Sequence, residues 1–194
     1  MSFFYALKSL LQLTLNQEHK IELKKPTSVI LMNQTQCALS DLIFDTIKNI
    51  QKHDPGEIVN WIARNLIAKY SLANDYYYTT QKTKDHIDSL GLDISKRGNK
   101  KKSNGYTFEH PIPAKVVFEE LLMAESREKV DEILRFSDRV VILSAEEDSL
   151  LTAAKLRRSM PENWRFFDNL YARYDKIGSK VLKTKIEMSG AIKR

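Results

Sequence analysis

The sequence predicts an α+β protein, helix-rich, with a small β element towards the C-terminal half. Two observations carry that reading. Through the first ninety residues the apolar side chains recur mostly at three-to-four spacing, the period of a half-buried helix. Further on, Arg139-Val140-Val141-Ile142-Leu143 is a β-branched run bounded by polar residues, the mark of a strand, and Tyr106-Thr107-Phe108-Glu109 offers it a partner.

Taken in order, Met1–Leu11 has polar breaks at Lys8 and Ser9 and lacks a basic leader, so it reads as a packed amphipathic helix rather than a signal peptide. Val29–Met32 fits a strand or a buried helix equally. Ser40-Asp41 is expected to cap a helix carrying Leu42, Ile43, Ile47 and Ile50 on one side. Asp54-Pro55-Gly56-Glu57 is a second start signal, with Asp54 capping, Pro55 in the first helical position and Glu57 reaching back. Ile58, Ile62, Leu66 and Tyr70 then form the expected buried stripe. Tyr76-Tyr77-Tyr78 could stack on bases, although aromatics after a helix more often complete a core. Beyond Pro113, helices are expected from Ala114 and from Ser126. The strand at Val140–Leu143 runs into Ser144-Ala145-Glu146-Glu147, a capping-box pattern that opens another helix, closed by Met160-Pro161. Trp164, Phe166 and Phe167 read as core. The organisation expected is a mostly helical region over 1–95 and a second region over 96–194, packed as one compact unit.

Length and composition bound the function. The 194 residues suffice for a continuous core without staples, and Cys37, the one cysteine, is expected as a small buried residue in a reducing, cytoplasmic setting. No window has the length and apolarity of a membrane span, so no membrane partner is expected. The net charge is +6 and the pI about 9.2, which favours a polyanion partner. Lys96, Arg97, Lys100, Lys101 and Lys102 lie in a Gly- and Asn-punctuated stretch, placing them on a loop suited to neutralising phosphates. A solvated loop without a partner accounts for such a run equally well. Arg157 and Arg158 add charge further on, either on the exposed side of the helix or offsetting its dipole. Glycine-rich phosphate loops, HExxH and EF-hand patterns do not occur.

The stretch "YTFEHPIPAK" resembles the first strand of HNH, or ββα-metal, nucleases, in which an acid or His precedes a His and a Pro follows within two or three residues. "VVILSAEEDSLL" resembles the second strand and the start of the metal-binding helix. Together these cover part of the last ninety residues. The resemblance implies a ββα-metal-like element holding one Mg²⁺ or Mn²⁺ against a nucleic-acid phosphodiester, in DNA before RNA. It implies His110 as general base, Glu109 as a metal ligand, and Asp148 as the second protein ligand. A homodimer would serve to cut both strands. The chemistry needs a neutral imidazole to accept a proton and oxygen ligands for a hard cation. Departures are present: Asp148 stands where the family has His or Asn, Asp138 rather than Asn precedes the second strand, and two helices separate the strands. Adjacent residues on a regular strand face opposite ways, so Glu109 and His110 converge only where the strand bends. The competing expectation is a non-catalytic basic binding protein, of a mobile element or defence locus, with a structural Glu-His pair.

Overall fold

The computed structural model describes residues 32–53, 56–91 and 105–187. Helix α1 (Gln34–His53) starts earlier than Ser40-Asp41. Asn33 is its cap: its Oδ1 accepts from the Gln36 N–H at 2.9 Å, and its own N–H donates to Gln36 Oε1 at 3.2 Å. Ser40 is instead buried mid-helix, donating across to Asp131 at 2.6 Å. Ile43, Ile47 and Ile50 are buried as expected, while Leu42 is only part-buried.

Helix α2 (Glu57–Leu72) is rotated from the expected stripe: Tyr70 is buried as expected, but Ile58 is 76% exposed, Ile62 and Leu66 are only part-buried, and Ala63 and Ile67 are buried instead. The small Ala63 belongs to the apolar cluster shared with α1, and Ile58 lies off that line. Gly56, not Asp54, takes the cap position of α2, without a side-chain cap bond, so Pro55 precedes the helix rather than opening it. Asp54 and Pro55 themselves lie outside the described residues, as do Met1–Leu11 and nearly all of Val29–Met32. Cys37 is exposed rather than buried. It is on the solvent side of the first turn of α1, next to the buried Gln36.

Strand β1 (Tyr76–Thr79) leads to α3 (Gln81–Ser89), capped by Thr80, and β2 (Tyr106–Glu109) follows. Helices α4 (Ala114–Leu122) and α5 (Arg127–Ser137) start where the sequence indicates, α5 being capped by Ser126. Strand β3 (Val141–Ser144) enters α6 (Ala145–Ala153) through the expected capping box of Ser144 and Glu147. Helix α6 stops well before Met160-Pro161. Lys155 takes φ 59°, its N–H donates to Thr152 O at 3.0 Å, and the Leu156 N–H donates to Leu151 O at 2.8 Å. That pair of bonds is a Schellman closure, sealed by the apolar contact of Leu151 with Leu156. The short α7 (Ala172–Lys176) and β4 (Ile186–Glu187) complete the chain.

The fold is α+β and helix-rich, with a sheet broader than the two strands expected: its order is β2-β3-β1-β4. β2 and β3 pair antiparallel, while β1 joins β3 in parallel and β4 antiparallel. Alternation along β1 sends Tyr77 and Tyr78 to opposite sides of the sheet, so both rings are buried as core. Helices α1, α2, α4 and α5 build a separate apolar core, so residues on both sides of position 95 share one interior. Trp164 and Phe166 lie half-buried at its margin, and Phe167 is 39% exposed beneath the Lys129 ammonium.

Candidate functional site

The site forms where β2 ends, on the side of the sheet covered by α6 and α7. The register Thr107↔Leu143 and Glu109↔Val141 puts Thr107 and Glu109 on the same face as Val141 and Leu143, which pack with Leu151, Leu156 and Tyr174. Glu109 is thus a carboxylate at the rim of an apolar layer. Its companion is Arg173, which is fully buried. One terminal nitrogen of that guanidinium donates to Glu109 Oε2 at 3.1 Å and to the His110 carbonyl at 2.8 Å. The other donates to the carbonyls of Leu156 and Arg157, at 2.7 and 3.1 Å.

Asp148, in α6, has an Oδ1 that is buried without a hydrogen-bond partner among the described residues. Its Oδ2 lies 3.8 Å from the Arg157 guanidinium. Burial pushes the Glu109 carboxyl above the ordinary carboxylate range. Arg173 opposes that rise through its charge and its hydrogen bond, and the nearby charge of Asp148 adds to it. His110 is the first residue past the strand, leading into the buried Pro111-Ile112-Pro113. Burial, with a smaller push from Arg173, lowers its pKa to about 4, so the imidazole is neutral at physiological pH. Its Nδ1 is buried and has no hydrogen-bond partner among the described residues.

Glu147 is spent on structure. Its buried Oε2 accepts from Thr80 Oγ1, Thr83 Oγ1 and the Ser144 N–H at 3.0, 2.5 and 3.1 Å. Burial alone would raise its pKa, but hydrogen bonds from Thr83, Ser179, Ser144 and Thr80 outweigh that and hold it below the usual value.

Of the residues singled out in the sequence, Glu109 and Asp148 come close enough to feel each other's charge, and Arg173 gathers the Glu109 carboxylate and the His110 backbone. Arg157 and Arg158 are exposed in the segment after α6, not on the helix itself, because the helix has already closed at Ala153. Lys96, Arg97, Lys100, Lys101 and Lys102 lie outside the described residues, as does His19. His53 is exposed and His86 half-buried. Arg173 is not among the site residues expected from the sequence. Its flanking pattern Leu170-Tyr171-Ala172-Arg173-Tyr174 was the available signal, an arginine set among residues that bury readily.

Among the described residues, no three or more His, Cys, Asp or Glu side chains are grouped to hold a metal ion. Magnesium, however, commonly binds through one or two carboxylates plus substrate phosphate oxygens and water. Glu109 and Asp148, the latter with an unpartnered buried oxygen, fit that mode. Among the described residues no helix is long and apolar enough to cross a membrane. Scans against protein-family models, curated proteins and solved structures found no match.

Proposed function

We propose that this chain is a divalent-metal-dependent endonuclease that hydrolyses phosphodiester bonds, in DNA before RNA. The observation that carries the reading is that the Glu109 and Asp148 carboxylates lie within electrostatic reach of each other on the α6 side of an antiparallel strand pair, with a neutral imidazole at the next position, His110, whose buried Nδ1 has no hydrogen-bond partner among the described residues. An antiparallel strand pair leading into a helix is also part of the ββα-metal element that the sequence resembles, although here α4 and α5 lie between the two strands.

Glu109 and Asp148 would hold one Mg²⁺ or Mn²⁺, which when bound supplies positive charge against the phosphate. His110 keeps a free ring nitrogen in its base form, as acceptance of a water proton requires. Arg157 is half-exposed beside Asp148 and is free to swing onto a phosphate oxygen, since a 3.8 Å contact at the surface holds it weakly. Lys96, Arg97, Lys100, Lys101 and Lys102 would supply the salt-sensitive part of binding. A cytoplasmic location and a homodimer belong to the same proposal.

The second reading is a non-catalytic nucleic-acid binder. It is favoured by the engagement of Glu109 Oε2 with Arg173 and by the want of a three-ligand group among the described residues. One experiment separates the two. Purified protein is incubated with plasmid DNA and with RNA, in Mg²⁺, in Mn²⁺ and in chelator, alongside His110→Ala and Asp148→Ala. Metal-dependent nicking that falls about a hundredfold or more in each variant is expected. Cleavage that survives both substitutions sinks the site, and binding without cleavage in every metal establishes the binder.

A further inference from the structure

Resting on the hydrolase reading, we propose that Arg173 is the positioning residue of this site, the group that sets the Glu109 carboxylate and the His110 turn in place for the cation. The geometry is that of a hub. The Arg173 guanidinium has no solvent exposure and binds four oxygens from two separate parts of the chain. Two belong to the end of β2, the Glu109 carboxylate and the His110 carbonyl. Two belong to the segment after α6, the Leu156 and Arg157 carbonyls, and Arg157 in turn reaches Asp148. Arg173 therefore touches Glu109 and His110 directly and is one residue removed from Asp148.

A planar fork suits this task and an ammonium does not. The guanidinium directs several N–H bonds along fixed lines, whereas lysine is a point charge on a flexible stem. Three of the four acceptors are neutral carbonyls, so charge pairing alone does not explain the arrangement. Replacing buried ion pairs with apolar groups is often neutral or stabilising, so simple cohesion would not demand an arginine here. What the four bonds add is orientation. They fix one carboxylate oxygen of Glu109, Oε2, and they hold the backbone from which His110 projects.

The test is Mn²⁺ affinity of the full-length chain, by calorimetry and by the electron paramagnetic resonance signal of the free ion, for wild type, Arg173→Met, Arg173→Lys, Glu109→Gln and the Arg173→Met/Glu109→Gln double variant. A positioning role predicts a loss of about tenfold or more in Arg173→Met, the size seen when outer partners of metal ligands are removed. It also predicts no further loss in the double variant beyond that of Glu109→Gln, because Arg173 acts through that carboxylate. Arg173→Lys keeps the charge and is the variant used if Arg173→Met does not fold; a loss between those of wild type and Glu109→Gln is expected. Leu134→Ala, which weakens the helical core away from the site, controls for general destabilisation and should leave Mn²⁺ affinity unmoved. Wild-type affinity in a folded Arg173 variant, or losses that simply add in the double variant, overturns the positioning role and leaves the hydrolase reading standing. A wild-type chain that neither binds Mn²⁺ nor cuts overturns both.

Discussion

The two interiors of this protein are built on different principles. The helical core of α1, α2, α4 and α5 is lined by Ile43, Ile47, Ile67, Val117, Leu121, Ile133 and Leu134, all nearly or fully buried, with the Tyr70 phenol among them. The layer between the sheet and α6 and α7 contains similar aliphatic groups but admits Glu109, Asp148 and the fully buried Arg173 at its edge. Hydrophobic burial has no direction, and a missing methylene there costs packing alone. A buried charge must find its partners in fixed positions, or the fold bears the full desolvation cost. The helical core therefore provides cohesion, and the charged layer provides a defined geometry at some expense in stability.

Removing one member of the charged set should break this comparison most sharply. Arg173→Met leaves Glu109 without its partner and should cost roughly 3–5 kcal/mol in urea unfolding. Adding Glu109→Gln should recover a good part of that loss, because the uncompensated charge goes with it. Leu134→Ala, by contrast, should cost about 2–5 kcal/mol with no second-site rescue of this kind. If the Arg173→Met/Glu109→Gln pair is as unstable as the sum of its parts, the contrast between the two interiors fails.

Acid should find the charged layer first. The pKa of His110 is depressed in the fold, from an ordinary 6.5 to about 4, so the stability linked to its neutral form is complete above the unfolded value. That contribution is lost as pH falls from about 6.5 through 4, amounting to roughly 3 kcal/mol at most. Glu147, also depressed, adds a loss at pH values below the ordinary carboxylate range. Glu109 acts in the opposite sense: its raised pKa means that its contribution is present at low pH and is lost as pH rises through the folded value. Melting temperature followed from pH 7 to 4 should fall, and His110→Asn should flatten the curve. An unchanged slope in that variant would assign the acid sensitivity elsewhere.

The smallest effect expected is at the joint between the two kinds of structure. Ser144→Ala removes the side chain that accepts the Glu147 N–H at 3.2 Å at the head of α6 and should cost about 1 kcal/mol. Calorimetric melting should show that shift without any change in Mn²⁺ affinity, because the capping bond lies on the Glu147 side of the helix. A fall in metal affinity would show that the start of α6 also sets Asp148.

Much of the local architecture was legible because it depends on neighbours in the chain. Ser126 and Ser144 cap the helices they precede, Val141–Leu143 form a strand, and Ile43 and Ile47 share one side of α1, each through contacts a few residues long. The start of α1 was misplaced because Ser40-Asp41 carries the cap chemistry that Asn33 and Gln36 in fact use. The stripe of α2 was misread because helical period alone does not say which arc meets a neighbour. Glu109, His110 and Asp148 stood out by type and spacing. Arg173 did not, since its role depends on groups 16 to 64 residues away.

The sequence by itself determined the α+β class, the helix start at Ser126 and the strand-to-helix passage at Ser144, because propensity, capping and periodicity act within a turn or two of chain. Only the tertiary structure decided that β1 and β4 widen the sheet, that Ile58 faces outward and that Arg173 is an interior cation. Strand partners, burial and ion pairing are long-range choices, settled by which surfaces exclude water together.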